Sequence, residues 1–510
     1  MPSLFRLSAS TAMALVLPAT AAFADLTASD VWEDWKGYMA SAGYDVTASE
    51  ALAGDTLTVT DIAMTVDLGE DAGEGSVAIA LEEIVFAGQA DGSVSIALPA
   101  ETAFDMTFEA EPGEMVDVKI GYTQTDPTMS ATGAPGDITY AYAASQVAMA
   151  LGEIKMQGVI LTDEVARLNV VANDVTYDTR NTVGDVRTVT QDMAAANLSY
   201  DALFEDPAGE GTFKMTGEMG GLTFTGGGDL PLDTDTQDVN AMLEDGFKFD
   251  GTFASTSGGY DMTFNGPDGG GTVNSASEGG SIRVAMSPDG LNYDVTQTAV
   301  DLNMLLTQFP LPVSISAAEI ATNFLMPVQK SEEQQDFGFG VTFSDFTMSD
   351  AIWNIFDAAG QLPRDPATLV VDLSGKAKVL FDFLDPAQAA VLEQAGAVPG
   401  ELNALTLNAL ELDALGAKLT GAGDFTFDNS DLVTFDGIPR PAGAIDLSLV
   451  GGNGLLDKLV GMGLVPEDQA MGARMMMGLF AVPGEGEDSL TSRIEVNDEG
   501  HVLANGQRLR

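Results

Sequence analysis

The chain has 510 residues, with 77 acidic against 21 basic, a formal charge of −56, one histidine and no cysteine. A surface this acidic repels phosphate backbones and anionic lipid head groups, so nucleic acid is excluded as a natural partner. The missing thiols exclude disulfides and a lipid-modified cysteine, and with His501 alone the ordinary zinc, copper and iron sites are out of reach.

Residues 1–24 read as a secretory leader, with Arg6, the apolar run "AMALVLPATAA" and the small-residue end Ala22-Phe23-Ala24. Pro18 interrupts the run, and no later stretch is long and apolar enough for a membrane-spanning helix. The expected product is an exported, periplasmic chain with no integral span after leader removal. An uncleaved anchor is the alternative.

A helix follows, with Trp32, Trp35 and Tyr38/Met39 on one apolar stripe, Ser29 or Asp30 as its cap and Gly43 as its stop. Docking against the end of a sheet is the expectation for it, and an exposed partner-binding helix is the alternative. From Leu57 to Leu302 the chain alternates with period two, punctuated by glycine and aspartate. Between Gly209 and Gly290 the glycines become dense, and Gly-Gly and Pro-Asp-Gly are expected as hairpin turns of a meander. Helical patterns return at Ser314–Leu325, Ser349–Gly360 and Asp385–Gly396. Leu455, Leu456, Leu459 and Val460 form another stripe. A helix from Pro466 carries Met471, Met475 and Leu479 at spacings of four. Core packing is the expectation for these methionines, and a pliable contact surface is the alternative. A terminal hairpin turns at Asp498–Gly500.

The expected fold is mainly β, an elongated and curved antiparallel sheet with a few short packing helices, α+β toward the C-terminus. The expected division is 25–313, helix and meander, and 314–510, β region with helices and terminal hairpin.

One spacing recurs along the strands: apolar–x–apolar–x–x–apolar–x–apolar. It occurs at Leu57–Met64, Ile79–Phe86, Tyr142–Met149, Val170–Tyr177, Met193–Tyr200, Val341–Met348 and Leu405–Leu412. In a chain 45% apolar the bare spacing also arises by chance. What marks these copies is the polar residue before the second apolar pair: Asp61, Glu83, Gln146, Asp174, Asn197 and Asp345, with only Ala409 departing. A helix cannot use the spacing, because it scatters the four side chains around the axis. A strand can use it if one residue is absorbed as a β-bulge, which returns both pairs to one face and bends the strand.

No catalytic, cofactor or metal residue can be nominated. Ser–His catalysis would have to rest on His501, whose neighbours "NDEGHVLANG" read as turn and surface. Asp233, Asp235, Gln237 and Glu244 fall at the first, third, fifth and twelfth positions of a calcium loop, but Asp238 stands where glycine is needed, so a solvated turn is expected. Acids are too numerous for any glycosidase-type pair to be singled out.

In the C-terminal half, "LTLNALELDALGAKLTGAGDFTFD", "RPAGAIDLSLVGGNGLLDKLVGMGLV" and "IEVNDEGHVLANGQRL" resemble the alphaproteobacterial family called domain of unknown function 2125. The opening "VWEDWKGYMASAGYDV" is similar to how such proteins begin. The resemblance covers roughly the C-terminal third and, loosely, the first helix; the glycine-rich middle contributes little. It carries no activity and no catalytic signature. Its style is distantly similar to AsmA-type envelope proteins, and that similarity implies long curved sheets with apolar grooves that move phospholipid, although a cleaved leader departs from their membrane anchor. The resulting expectation is a non-enzymatic periplasmic protein holding or passing an apolar ligand, such as a lipid, in a sheet-lined groove. A scaffold with fully packed sheets is the alternative, and a carboxylate hydrolase the third reading.

Overall fold

The computed structural model describes residues 26–67, 75–111, 114–156, 159–206, 209, 211–232, 234, 238–385, 388 and 398–510. In it the period-two alternation is realised as a single antiparallel sheet that takes in all 27 described strands. The sheet is an up-and-down meander in which each long strand pairs with the one before and the one after. Thr56–Asp67 pairs with Gly75–Gly88, Asp137–Met156 with Ala166–Val183, and Val186–Glu205 with Thr212–Pro231. Some strands are halves of one long strand. Lys248–Ser255 and Ser257–Gly266 pair with opposite halves of Thr212–Pro231, and Gly280–Ser287 and Gly269–Ser277 do the same against Gly290–Leu306. The meander continues through Phe309–Met326, Gln335–Met348, Ala367–Val379, Gly400–Ala414, Ala417–Asp428 and Arg440–Val450. Val313 and Ser314, which flank the expected regional boundary, pair with Met304 and Asn303 in one ladder, so the sheet crosses that point unbroken.

The phase slips line up across this sheet. Thr60 faces Glu83 and Ile62 faces Leu81, so Asp61 and Glu82 step out together and the register is kept. Asp174 does so opposite Ser145, Ala196 opposite Gly221, and Ala299 opposite Ala318. The expected one-sided bulge is therefore mostly a kink shared between neighbours. One-sided register shifts occur at a few places, among them Thr47/Ser49, Phe343/Phe346 and Leu407/Leu410. Asp61, Asp174 and Asp345 adopt φ of 51°, 51° and 50°. Aspartate enters this left-handed region more readily than most residues bearing a Cβ, which accounts for these three slip residues, whereas Glu83, Gln146 and Asn197 stay in the ladder.

The kink keeps the apolar pairs on one face: Leu57, Val59 and Ile62 are all buried while Asp61 is exposed. Val175, Ala195 and Leu222 lie beside the kink line and form a small buried cluster with Tyr142, Val147, Ala172, Leu198, Met219 and Phe253, drawn from both sides of it. Residues of one sheet face bury one another in this way when the sheet folds along the line toward that face. The apolar face is the inner one.

Among the described residues, five short helices accompany the sheet: α1 (Ala28–Ser41), α2 (Val239–Glu244), α3 (Asp350–Phe356), α4 (Gly452–Gly461) and α5 (Glu467–Phe480). Helix α1 docks on the inner face at the N-terminal end, as its stripe predicts. Val31 and Trp32 are fully buried among Leu57, Val59, Phe86 and Ile96, and Trp35 meets Phe86 edge-on at 5.3 Å. Each such side chain stabilises the docked helix by roughly 1.5–3 kcal/mol. Its cap is Thr27, two or three residues earlier than expected, with Asp30 completing a reciprocal capping box; Gly43 takes the left-handed stop at φ 82°.

Three expectations are corrected. Ser314–Leu325 lies in the strand Phe309–Met326 and is not a helix. Its Ala317, Ile320, Ala321 and Phe324 stand at i, i+3, i+4 and i+7, the intervals of a helical stripe, although the backbone is extended. Gly220-Gly221 and Gly258-Gly259 lie inside strands, whereas Pro267-Asp268 and Pro288-Asp289 do form turns. Several strand glycines leave room for a neighbouring ring: a Cβ on Gly251 would lie 2.7 Å from the Phe249 ring. Met471, Met475 and Leu479 on α5 are exposed, contrary to core packing; Ala470 is the buried residue of that helix. The leader 1–24, the body of the Asp385–Gly396 helix and the calcium-loop residues Asp233, Asp235 and Gln237 lie outside the described residues.

Candidate functional site: the uncharged inner face

Side chains directly opposite on adjacent strands share a face, so the pairing registers define the composition of the inner face. One row passes from Tyr142 through Tyr177, Met193, Phe224, Phe253 and Ile282 on successive strands. It continues through Val295, Thr322, Val341, Val371 and Leu410. Across the kink line a second row joins Met149, Val170 and Tyr200, and Met215, Met262, Val273 and Met304 stand opposite one another farther along. Away from the hairpin tips, the described strands place two charged side chains on this face, Glu50 and Arg187. The outer face has the opposite character: Asp178 stands opposite Asp192, and Thr252 opposite Arg283 and then Asp294.

Both inner charges are neutralised by α1. Arg187 pairs with Asp34 at 2.6 Å, the side chains being 4% and 6% exposed, and Asp34 also accepts from Tyr140 Oη at 2.7 Å and Asn181 Nδ2 at 3.2 Å. Glu50 accepts from Trp32 Nε1 at 2.6 Å and from Lys36 at 2.9 Å, and these bonds hold its carboxyl below the usual range. Burial, then the Asp34 charge, raises the Tyr140 phenol, so it donates and does not ionise near neutrality. Helix α1 therefore closes one end of the inner face by apolar burial and by a buried ion pair.

Beyond α1 the apolar face is not covered. Ile282, Tyr293, Phe339, Phe343 and Leu412 all lie on it and are 36–45% exposed. A cavity of about 250 Å³ sits on this face beside the kink line, between Tyr200, Met219, Phe253, Tyr260, Ile282 and Val295. Sequence reading anticipated the apolar stripe from period-two alternation. It did not find this cavity, although one signal was present: Ser255, Ser275 and Ser277 occupy inward phases where apolar residues are expected.

Among the described residues no cluster of histidine, aspartate and glutamate suits a metal ion, and no helix is long and apolar enough to cross a membrane. His501 lies in the terminal hairpin, far along the chain from the cavity residues, where its backbone N–H donates to Asn497 Oδ1 at 2.9 Å.

No curated protein and no solved structure matches the chain. A family described as "Uncharacterized protein conserved in bacteria (DUF2125)" matches residues 248–506. The match starts inside the glycine-rich region, well before the part that the resemblance covered, and it does not include α1. It takes in just over half of the chain, including Ile282, Tyr293, Phe339, Phe343 and Leu412 of the inner face but not the cavity residues Tyr200 and Met219, and the protein belongs to this DUF2125 family of uncharacterized bacterial proteins.

Proposed function

We propose that the protein is a non-enzymatic envelope protein of the periplasm that holds or passes an apolar ligand, such as a lipid acyl chain, along its inner face. The observation that carries this reading is an apolar face, free of charge beyond α1, that is left half-exposed over many strands. A contiguous apolar surface of this kind on a strongly acidic protein is unfavourable in water unless something occupies it. The periplasmic setting rests on the leader read in residues 1–24, and the link to lipid movement rests on the AsmA-like style of the sequence. The half-open face also speaks against a scaffold with a fully packed interior. A carboxylate hydrolase finds little support there, since away from the hairpin tips the described strands place a single acid on the face, Glu50, and it is bound to Lys36 and Trp32.

Native mass spectrometry of protein purified without detergent from its own periplasm tests the reading. Co-purifying lipid is expected. A ligand-free protein that also takes up no added acyl chain removes it.

A second reading, protein-partner binding, draws on α5. Met471, Met475, Met476 and Leu479 present an exposed, adaptable apolar stripe, a surface type suited to re-packing against a partner.

A further inference from the structure

The inner face is uncharged beyond α1, but it is not uniformly apolar. Its polar side chains concentrate beside the kink line. Ser275 stands opposite Tyr260, which stands opposite Gly217, and Gly217 opposite Tyr200. Ser277 stands opposite Gly258, and Gln297 opposite Gly280, which faces Ser255. All six of these polar side chains line the 250 Å³ cavity.

Among the described residues, Ser255, Ser275, Tyr260 and Gln297 make no side-chain hydrogen bond within the protein, and Ser277 reaches the Gly258 carbonyl only at 3.4 Å. Ser255, Tyr260, Ser275 and Ser277 are half-buried and Gln297 is exposed, so their polar atoms are open to whatever enters the cavity. The glycines opposite them leave room for these side chains: a Cβ on Gly217 would collide with Tyr200 Oη, and one on Gly258 would lie 3.2 Å from Ser277 Oγ. Met219, Phe253, Ile282 and Val295 complete the wall, so an apolar chain can leave the cavity along either side of the line.

We propose that this cavity binds the uncharged polar joint of an amphiphile, a hydroxyl- or ester-bearing group such as a glyceride head, while its acyl chain lies along the flanking apolar rows. Hydroxyls and a carboxamide both donate and accept, which matches a group carrying O–H and C=O together. No cation lines the cavity to hold a phosphate or carboxylate, and the acidic protein repels both. The inference rests on the apolar-ligand reading and adds the chemistry of the ligand's polar end.

Displacement of the neutral fluorophore N-phenyl-1-naphthylamine by monopalmitoylglycerol, palmitate and hexadecane tests it. The wild-type chain is expected to bind monopalmitoylglycerol in preference to palmitate. Tyr260→Phe with Ser275→Ala should weaken monopalmitoylglycerol by roughly three- to tenfold, the net effect of one or two neutral hydrogen bonds, and leave hexadecane unchanged. Gln297→Leu carries the same expectation should the double variant fail to fold. Equal binding of palmitate, or a parallel loss or no loss for both neutral ligands in the variants, overturns the assignment while leaving the apolar-ligand reading in place. No binding of fluorophore or lipid to the wild-type chain overturns both.

Discussion

Replacing the kink aspartates with valine and with glycine should move stability in opposite senses to what strand propensity alone predicts. Asp61, Asp174 and Asp345 sit in strands, exposed, at φ near 50°. Valine is the better strand former, by less than about 1 kcal/mol at such positions. A β-branched side chain held in the left-handed region costs about 1–2 kcal/mol per site. The three sites lie on the non-adjacent strands Thr56–Asp67, Ala166–Val183 and Gln335–Met348, so their effects should add. The triple valine variant should lose roughly 3–6 kcal/mol, whereas the triple glycine variant should stay within about 1 kcal/mol per site of the parent. The Asp345 N–H bond to Thr368 Oγ1, at 3.3 Å, is a backbone donor that both variants retain. Urea unfolding followed by far-UV circular dichroism reads the midpoint shift. A valine triple as stable as the parent, alongside a destabilised glycine triple, would mean that these strands run straight and would refute the shared kink.

Asp34→Leu should destabilise by roughly 3–5 kcal/mol by stranding the buried Arg187, and Asp34→Leu with Arg187→Met should recover most of it; thermal unfolding of the single and double variants checks both. Met471→Lys and Met475→Lys on α5 should each change stability by less than about 0.5 kcal/mol, against several for a core methionine, in the same assay. The Ser430 hydroxyl, then Arg440, lowers the Asp428 carboxyl to about 2. A carboxyl depressed in the folded state stabilises above its ordinary value and loses that contribution as pH falls through the folded one. Protection of the Ser430 amide, which donates to Asp428, taken relative to its intrinsic exchange rate at each pH, should therefore fall as pH drops from about 4 toward 2, and an Asp428→Asn variant should lack this step.

The architecture was largely legible because strand alternation is a local signal. The spacing around Asp61, Asp174 and Asp345 also announced the kinks, since one residue must step out of the ladder for both apolar pairs to share a face. What the spacing could not reveal is that neighbouring strands slip at the same level, because register depends on pairing between distant segments. Ser314–Leu325 misled because its Ala317, Ile320, Ala321 and Phe324 also stand at helical intervals, so the stretch satisfies both periods. Glycine was ambiguous for a different reason: Gly251 sits in a strand beneath a ring, whereas Gly500, at φ 77°, follows a turn, and sequence distinguishes neither. The exposure of Met475 followed from where α5 stops relative to the sheet, a tertiary outcome. The cavity was hidden because Ser275 and Ser277 look like ordinary strand serines until their inward phase is known.

Photo-crosslinking in the periplasm offers the closest view of what occupies the inner face. Ile282 and Arg283 are adjacent, one inward and one outward, so p-benzoylphenylalanine at each position differs only in the face it samples. Lipid-mass adducts at 282 and at Phe343, but not at 283, are the predicted result. Equal adducts at 282 and 283, or none at any of the three, would contradict an inner face that carries an apolar ligand.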